Sequence, residues 1–463
     1  MSEPLIPLSP RQVPAELLAR YQANAPRYTS YPTAPQFVPS LDEAEAARRW
    51  KASNTSSPRE LSLYIHIPFC RVRCLYCGCH TRVGCSDSLV DGYIAAVLQH
   101  LDASLELVDS SRPVEQLSLG GGTPSYLTLS QMTGLLRSLR DRLSFTSRGE
   151  RAIELDPRTA DADYIDLLLD LGFNRISFGV QDLDVSVQEA VRRILPVERI
   201  ASLMSHLGSR GMKAVNLDLI YGLPRQTPES FGRTVEQIIA LAPSRIALFG
   251  YAHVPWVSPH QKELEPFPMP GPAERMEIFG QAYERLVAAG YLHVGMDHFA
   301  REDDELIQAL RTRTLSRNFM GYTTRRGLDL VALGASGISS VGGTYAQNEK
   351  DIDRYVQGTG MRWTRGFLLS EEDRLRREVI LDLFCNFHLD LRDVERRFGI
   401  VFRSHFAREL SALQSFIEDG LVELREDSLS VTDLGRFFVR NVAMVFDQYM
   451  RGGEGEPRYS KVI

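Results

Sequence analysis

The chain has 463 residues, 43 % of them hydrophobic, a composition that suits an ordinary soluble globular protein with one large domain and smaller appendages. Its 53 Lys and Arg against 59 Asp and Glu give a net charge of −6, so nothing in the overall charge draws the protein to nucleic acid. No run of about 18 apolar residues occurs, and Met1 to Pro10 lacks a basic stretch followed by an apolar one, so the sequence predicts a cytoplasmic protein with neither membrane span nor secretory signal.

Residues 1–58 contain several prolines and no sustained period and read as an arm, in which Tyr28, Tyr31 and Pro32 are candidates to cover the mouth of the next domain. From Leu61 onward, apolar runs rich in β-branched residues predict buried strands at Leu61 to Ile67, Val114 to Leu119, Arg151 to Leu155, Asn174 to Phe178, Lys213 to Ile220 and Arg245 to Tyr251. Helical spacing fills the gaps, at Leu89 to Leu107, Leu129 to Leu143, Ala162 to Leu171, Ile200 to Gly208 and Ser230 to Leu241. Such alternation predicts parallel strands with right-handed crossovers. Six units make an incomplete (β/α)6 barrel, whose open side admits a large substrate; no early G-x-G-x-x-G opens a first helix, which disfavours a dinucleotide fold.

The unusual residues fall just after the strands, on the face where α/β barrels carry their chemistry. After the first strand stand Cys70, Cys74, Cys77 and Cys79, spaced C-x3-C-x2-C-x-C. Three thiolates on one short loop suit three irons of a cubane cluster and leave the fourth iron open for a small molecule. A structural zinc site uses two separated ligand pairs, and no second pair follows at zinc-finger distance; a disulfide framework does not suit a reducing cytosol. Cys85 and Cys385 stand alone and are given no role. Gly120, Gly121, Gly122, Thr123 and Pro124 follow the second strand. They form either a tight turn or a place where backbone approaches a ligand, and they lack the Gly-Lys-Ser/Thr ending of a phosphate loop. Glu154 and Asp156 end the third strand, Gln181 and Asp182 follow the fourth, Asp218 lies in the fifth, and Tyr251, Ala252 and His253 end the sixth. Glu154 and Asp218 are candidates to recognise ribose hydroxyls or an amino group, with salt bridges at the barrel rim as the alternative.

After roughly Gly358 the pattern changes. Ser370 and Asp373 signal a helix cap before a run to Phe387, Leu421 to Val431 reads as a hairpin, and Thr432 is placed to cap a last helix through Tyr449. This predicts a small, mainly helical, winged-helix-like C-terminal domain over 358–463, after a barrel with extension over 59–357. Leu421 to Tyr449 holds three arginines against five acids, the opposite of a phosphate footprint.

The cysteine loop, the glycine run and the strand alternation resemble the radical S-adenosylmethionine superfamily. More narrowly, RYTSYPTAPQF (27–37), YIHIPFCRVRCLYCGCH (64–80), NLDLIYGLPRQTPESF (216–231), MDHFAR (296–301), RNFMGYTT (317–324) and YSKVI (459–463) resemble the bacterial oxygen-independent coproporphyrinogen III oxidases, also called coproporphyrinogen dehydrogenases. The resemblance implies a [4Fe-4S] cluster on Cys70, Cys74 and Cys77 and two molecules of S-adenosylmethionine. Cleavage of the sulfonium would give a 5′-deoxyadenosyl radical, which takes hydrogen from substrate propionates; loss of carbon dioxide and an electron from each of two then converts coproporphyrinogen III to protoporphyrinogen IX for haem biosynthesis. It further implies an unidentified reductant such as flavodoxin and a terminal electron acceptor, while no long heptad or apolar strip in the sequence suggests more than a monomer. Carried over by position, Tyr64, Gly121, Glu154 and Ile338 would contact the first S-adenosylmethionine. Tyr76, Gly122, Thr123, Gln181, Arg193, Asp218 and Ala252 would contact the second, and the family has Phe where this chain has Tyr76. Cys79 is a candidate catalytic residue, since a fourth thiolate on the same cubane would close its open iron. Arg27, Arg71, Arg73, Arg301, Arg317 and Arg325 lie in or beside the matched motifs and suit four propionates. Asp297, His298, Asp303 and Asp304 suit a helix start or the surface better than a second metal site. The rivals are a haem chaperone of the same superfamily, an iron–sulfur regulator that reads nucleic acid, and a radical enzyme with another substrate.

Overall fold

Strand β1 (Leu61–Ile67) forms where apolar and branched residues follow one another without a turn former, and Leu61, Leu63, Ile65 and Ile67 are all buried. It lies in a computed structural model that describes residues 8–450. The chain divides into two compact units, one made of Val38–Ile278 and Gly327–Leu368 and the other of the remaining segments.

In the first unit, helix α1 (Glu43–Ser53), capped by Asp42, precedes β1. There follow α2 (Asp87–Leu105), β2 (Val114–Gly121), α3 (Leu129–Arg142), β3 (Phe145–Leu155), α4 (Ala162–Asp170) and β4 (Arg175–Gln181). Next come α5 (Val185–Ala190), α6 (Val197–Ser209), β5 (Val215–Tyr221), α7 (Pro228–Leu241) and β6 (Arg245–Gly250). Strands β1 to β6 pair in parallel in chain order. Then β7 (Asp329–Leu333) pairs in parallel with the free edge of β1, and β8 (Ile338–Val341), β9 (Thr344–Asn348) and, after α8 (Ile352–Gln357), β10 (Trp363–Leu368) add antiparallel. The order in this unit is β10-β9-β8-β7-β1-β2-β3-β4-β5-β6, and no described pairing closes its ends on each other. This is the predicted α/β fold, an incomplete barrel of six β/α units. Four further strands extend it, which the sequence reading lacks.

The register sorts the two faces. Ile65, Leu119, Ile153 and Ile176 lie side by side across β1 to β4, and Phe178, Leu217 and Ile246 continue the row; all are buried. On the opposite face, Tyr64 stands beside Ser118, Glu154 beside Ser177, Ser177 beside Asn216, and Gly179 beside Asp218. Polar groups thus line one face near the strand C-terminal ends. Toward the N-terminal ends the same face is plugged. Ser62 donates to Gln116 (2.8 Å), Gln116 to Glu150 (2.8 Å), and Arg175 pairs with Glu150 (2.9 Å).

The second unit has its own core, in which Tyr28, Tyr31, Leu306 and Ile307 cluster with Val379, Leu383, Phe384, Phe402 and Phe438. Its helix Glu371–Asn386 begins at the predicted cap, with Ser370 and Asp373 bonding reciprocally. The predicted hairpin is present as Val422–Leu424 and Ser428–Val431, but a third strand, His388–Asp390, joins it. Thr432 accepts the amide of Gly435 (3.0 Å), yet the last helix is only Val439–Val445, because a 3-10 turn (Gly435–Phe438) intervenes. Asp304 caps the helix Glu305–Arg311, the role that a helix-start acid predicts. The YSKVI segment lies outside the described residues.

Candidate active site

The cysteine loop leaves β1 through buried Pro68 and Phe69, whose ring packs against Tyr93 (5.2 Å) and Tyr126 (5.6 Å). Cys74 is buried, Cys70 and Cys77 are half-buried, and Cys79 is exposed. Bonds from outside fix the loop. The Leu75 amide donates to Val191 O (3.1 Å), His260 Nε2 to Cys77 O (2.8 Å) and Gln261 Nε2 to Tyr76 O (2.8 Å). Cys70 Sγ meets Thr123 Oγ1 at 3.6 Å. The Cys79 thiol and its backbone amide (3.4 Å) both donate to Cys77 Sγ, which lowers the Cys77 thiol to about 6 and raises that of Cys79. Cys74 Sγ accepts from two guanidinium groups, Arg193 Nη1 (3.4 Å) and Arg158 Nη2 (3.6 Å).

The glycines after β2 bring that strand's end against the loop. The Gly122 amide donates to Ile67 O (2.8 Å) and the Thr123 amide to Phe69 O (2.9 Å). A Cβ on Gly122 would fall 2.8 Å from Phe69 O, so only glycine fits. Gly121 has φ +110°, and a Cβ there would lie 2.4 Å from the His66 ring. His66 Nε2 donates to His80 O (3.0 Å), so Nδ1 accepts from the Tyr64 hydroxyl (3.1 Å). Burial pushes the imidazole down to about 4, which keeps it neutral.

Among the described residues Glu154 takes one bond, from the Gly121 amide at 3.4 Å. Its low-dielectric surroundings and the charge of Asp218 push it up to about 7. Asp218 is pushed up to about 6 by the same surroundings, against hydrogen bonds from Asn216 (2.7 Å) and Ser177 (3.1 Å). Neither carboxylate forms a salt bridge with a described residue, so the rim ion-pair alternative fails. Gln181 Oε1 and Asn216 Oδ1 are buried and without a partner among the described residues, and Gln181 sits at φ +74°. Arg193 is buried on Asp156 (3.1 and 3.2 Å) and also donates to Gly179 O. Tyr76 packs against a buried cluster that includes Leu75, Val187, Leu223 and Tyr251. Ala252 is exposed just past β6, and half-buried Ile338 opens β8.

Residues 64–238 match the model of the radical S-adenosylmethionine superfamily, and 369–438 that of the HemN C-terminal domain. The chain is 41 % identical to the oxygen-independent coproporphyrinogen III oxidase of Pseudomonas aeruginosa, over 97 % of this chain and 98 % of that one. The chain belongs to the oxygen-independent coproporphyrinogen III oxidase family. The Escherichia coli member is 40 % identical over 96 % of this chain and 98 % of its own. The solved structure of the E. coli enzyme, described as a radical SAM enzyme, superposes with a TM-score of 0.88 at 39 % identity, covering 95 % of this chain and 99 % of that chain.

Membership of the superfamily implies a [4Fe-4S] cluster and S-adenosylmethionine. The cysteine loop of this oxidase-family chain fits the first. Among the described residues no three His, Cys, Asp or Glu converge tightly enough for one ion, as zinc requires. Separate irons need no such convergence, because each thiolate takes its own. The orphaned acceptors of Gln181 and Asn216 and the unpaired Glu154 fit a ligand rich in N–H and O–H donors. Of the arginines singled out for propionates, Arg71 and Arg73 are exposed beside the cysteines, and Arg73 donates to Thr81 O (3.2 Å). Arg27 pairs with Asp297, Arg301 lies over the Tyr291 ring (5.2 Å), and Arg317 is buried against Tyr322 (4.8 Å). Arg325 donates its amide to Thr323 Oγ1 (3.0 Å). Sequence reasoning missed His66 and Arg158 here, and also Ser177 and Asn216, which bond Asp218. His66 carried a signal, lying two residues past Tyr64 and so on the same strand face.

Proposed function

We propose that the protein is an oxidoreductase that oxidatively decarboxylates two propionates of coproporphyrinogen III to vinyl groups, giving protoporphyrinogen IX. An identity of 40–41 % over nearly the full length of proteins named for this activity carries the reading. Bound together, the cluster and S-adenosylmethionine would supply a 5′-deoxyadenosyl radical able to take hydrogen from a propionate β-carbon. The chain's part is to hold, orient and exclude. Cys70, Cys74 and Cys77 would hold the cluster on a loop that bonds from Val191, His260 and Gln261 keep in one shape.

We assign Tyr64, Gly121, Glu154 and Ile338 to the S-adenosylmethionine on the cluster. Glu154, without a cation of its own, is free to accept from an ammonium or hydroxyl. For a second molecule we assign Tyr76, Gly122, Thr123, Gln181, Arg193, Asp218 and Ala252, supported by the unpartnered Gln181 oxygen. Cys79 stands exposed and hydrogen-bonded to Cys77, and we assign it a role beside the cluster, donating a proton or shaping its surroundings, rather than as a ligand. A low-potential one-electron carrier and a terminal acceptor complete the reaction.

The test is to incubate the anaerobically reconstituted, reduced protein with S-adenosylmethionine and coproporphyrinogen III and follow mass. Stepwise loss of two carboxyl groups is expected. Cleavage of S-adenosylmethionine with no change in the porphyrinogen would replace this reading with a haem chaperone or another radical substrate.

A further inference from the structure

Arg158 has no part in the assignments above, yet it reaches the most buried of the three cysteines of the loop. Its Nη2 lies 3.6 Å from Cys74 Sγ, while Nη2 and Nε grip Asp156 at 2.6 and 3.0 Å and its own amide donates to the same carboxylate (3.0 Å). Arg193 reaches the same sulfur at 3.4 Å, and it too is anchored on Asp156. Asp156 is only 8 % exposed. Burial raises its carboxyl, but bonds and charge from Arg158 and Arg193 outweigh that and hold it below the ordinary range. Two cations therefore share one carboxylate. The surplus positive charge is aimed, through N–H donors, at the sulfur of Cys74.

We propose that Arg158 is a positioning residue that raises the reduction potential of a cluster ligated by Cys74, acting through the Arg158–Asp156–Arg193 clamp. The inference rests on the function proposed above. Reduction adds one electron, delivered by a low-potential flavin or iron–sulfur carrier, and no proton moves at Cys74. An oxidised [4Fe-4S] core with three thiolates carries net −1, and the reduced one −2. Donors on a ligating sulfur and a fixed positive charge nearby favour the more negative state. Charge-assisted bonds of this kind are rigid here because each guanidinium is held at a second point, so little reorganisation accompanies reduction. Asp156, Pro157 and Arg158 follow β3 directly, which puts the clamp at the strand end nearest the loop.

The experiment is a redox titration of the full chain, reconstituted anaerobically without substrate and followed by electron paramagnetic resonance. Wild type, Arg158→Gln, Arg158→Lys and the control Arg48→Gln, which removes an exposed cation on α1, are compared at equal iron and sulfide content. Arg158→Gln is expected to make reduction about tenfold less favourable, about 59 mV lower. Arg158→Lys keeps the charge but not the fork, and should fall by less, while Arg48→Gln stays at the wild-type potential. A wild-type potential in every Arg158 variant that assembles a cluster overturns the proposal, and so does an equal fall in Arg48→Gln. Should the wild-type chain itself assemble no cluster, the proposed function fails first and takes this inference with it.

Discussion

His66 shows how a single side chain links the glycine strand to pH. It is 7 % exposed, both ring nitrogens are engaged, and burial holds it near 4, against about 6.5 in an unfolded chain. The unfolded state therefore binds more protons between those values. Stability contributed by the neutral ring is complete above pH 6.5 and is lost as pH falls toward 4. A depression of this size corresponds to about 3 kcal/mol. Other buried imidazoles titrate in the same window, His293 among them, so the quantity to measure is a difference. Urea unfolding of the apo chain and of His66→Gln should show the wild type losing more stability between pH 6.5 and 4, and parallel curves would refute the assignment. The candidate contacts on the strand ends were legible because strand, polar residue and turn follow one another in sequence. Arg158 was not legible, because its meaning lies in Cys74, 84 residues away.

At the level of elements, β1 to β6 were readable because one face of each strand is apolar and packed. Strands β8 and β9 were not. Thr344, Gln347 and Asn348 are buried in β9 and break the apolar pattern, and two of them bond backbone carbonyls: Asn348 Nδ2 donates to Ala332 O (2.9 Å) and Gly334 O (3.0 Å), and Gln347 Nε2 to Ser336 O (3.2 Å). Helix α5 was missed because six residues carry too little period. Arg112, just before β2, shows how the unread half is tied on. Its fully buried guanidinium pairs with Asp329 at the start of β7 (2.9 Å), and also donates to Arg59 O (2.7 Å) and Ser53 Oγ (3.2 Å). Arg112→Ala would leave Asp329 without its cation and the Arg59 carbonyl without its donor. The expected loss is about 3–5 kcal/mol, read as a lower urea midpoint at unchanged m-value. A change under about 1 kcal/mol would mean that water replaces the guanidinium.

For the whole molecule, the decisive feature is how the second unit is assembled from distant stretches of chain. The linear pattern suggested an arm, a barrel and a C-terminal domain in succession. Among the described residues, contacts instead gather 8–37, Phe279–Arg326 and 369–450 into one unit. No local periodicity reports such a merger, because each segment shows only its own apolar stripe. Within that unit, Tyr28 donates to Asp447 (3.0 Å) and packs edge-on against Phe384 (5.9 Å), while Asn386 Nδ2 reaches Leu315 O (3.1 Å). Val13, Tyr28, Tyr31, Val294, Leu306, Ile307 and Leu310 are buried in a core whose other side comes from beyond residue 369. Cutting the chain after Leu368 leaves the parallel sheet and the cysteine loop intact in sequence but strips those side chains of cover. An exposed apolar patch of that kind drives association. The truncated chain is therefore expected to aggregate, or to elute as large oligomers that bind a hydrophobic dye, whether or not iron is supplied. Recovery of a monodisperse fragment that still assembles a cluster would show that the first unit folds alone and that the three-segment core is dispensable to it.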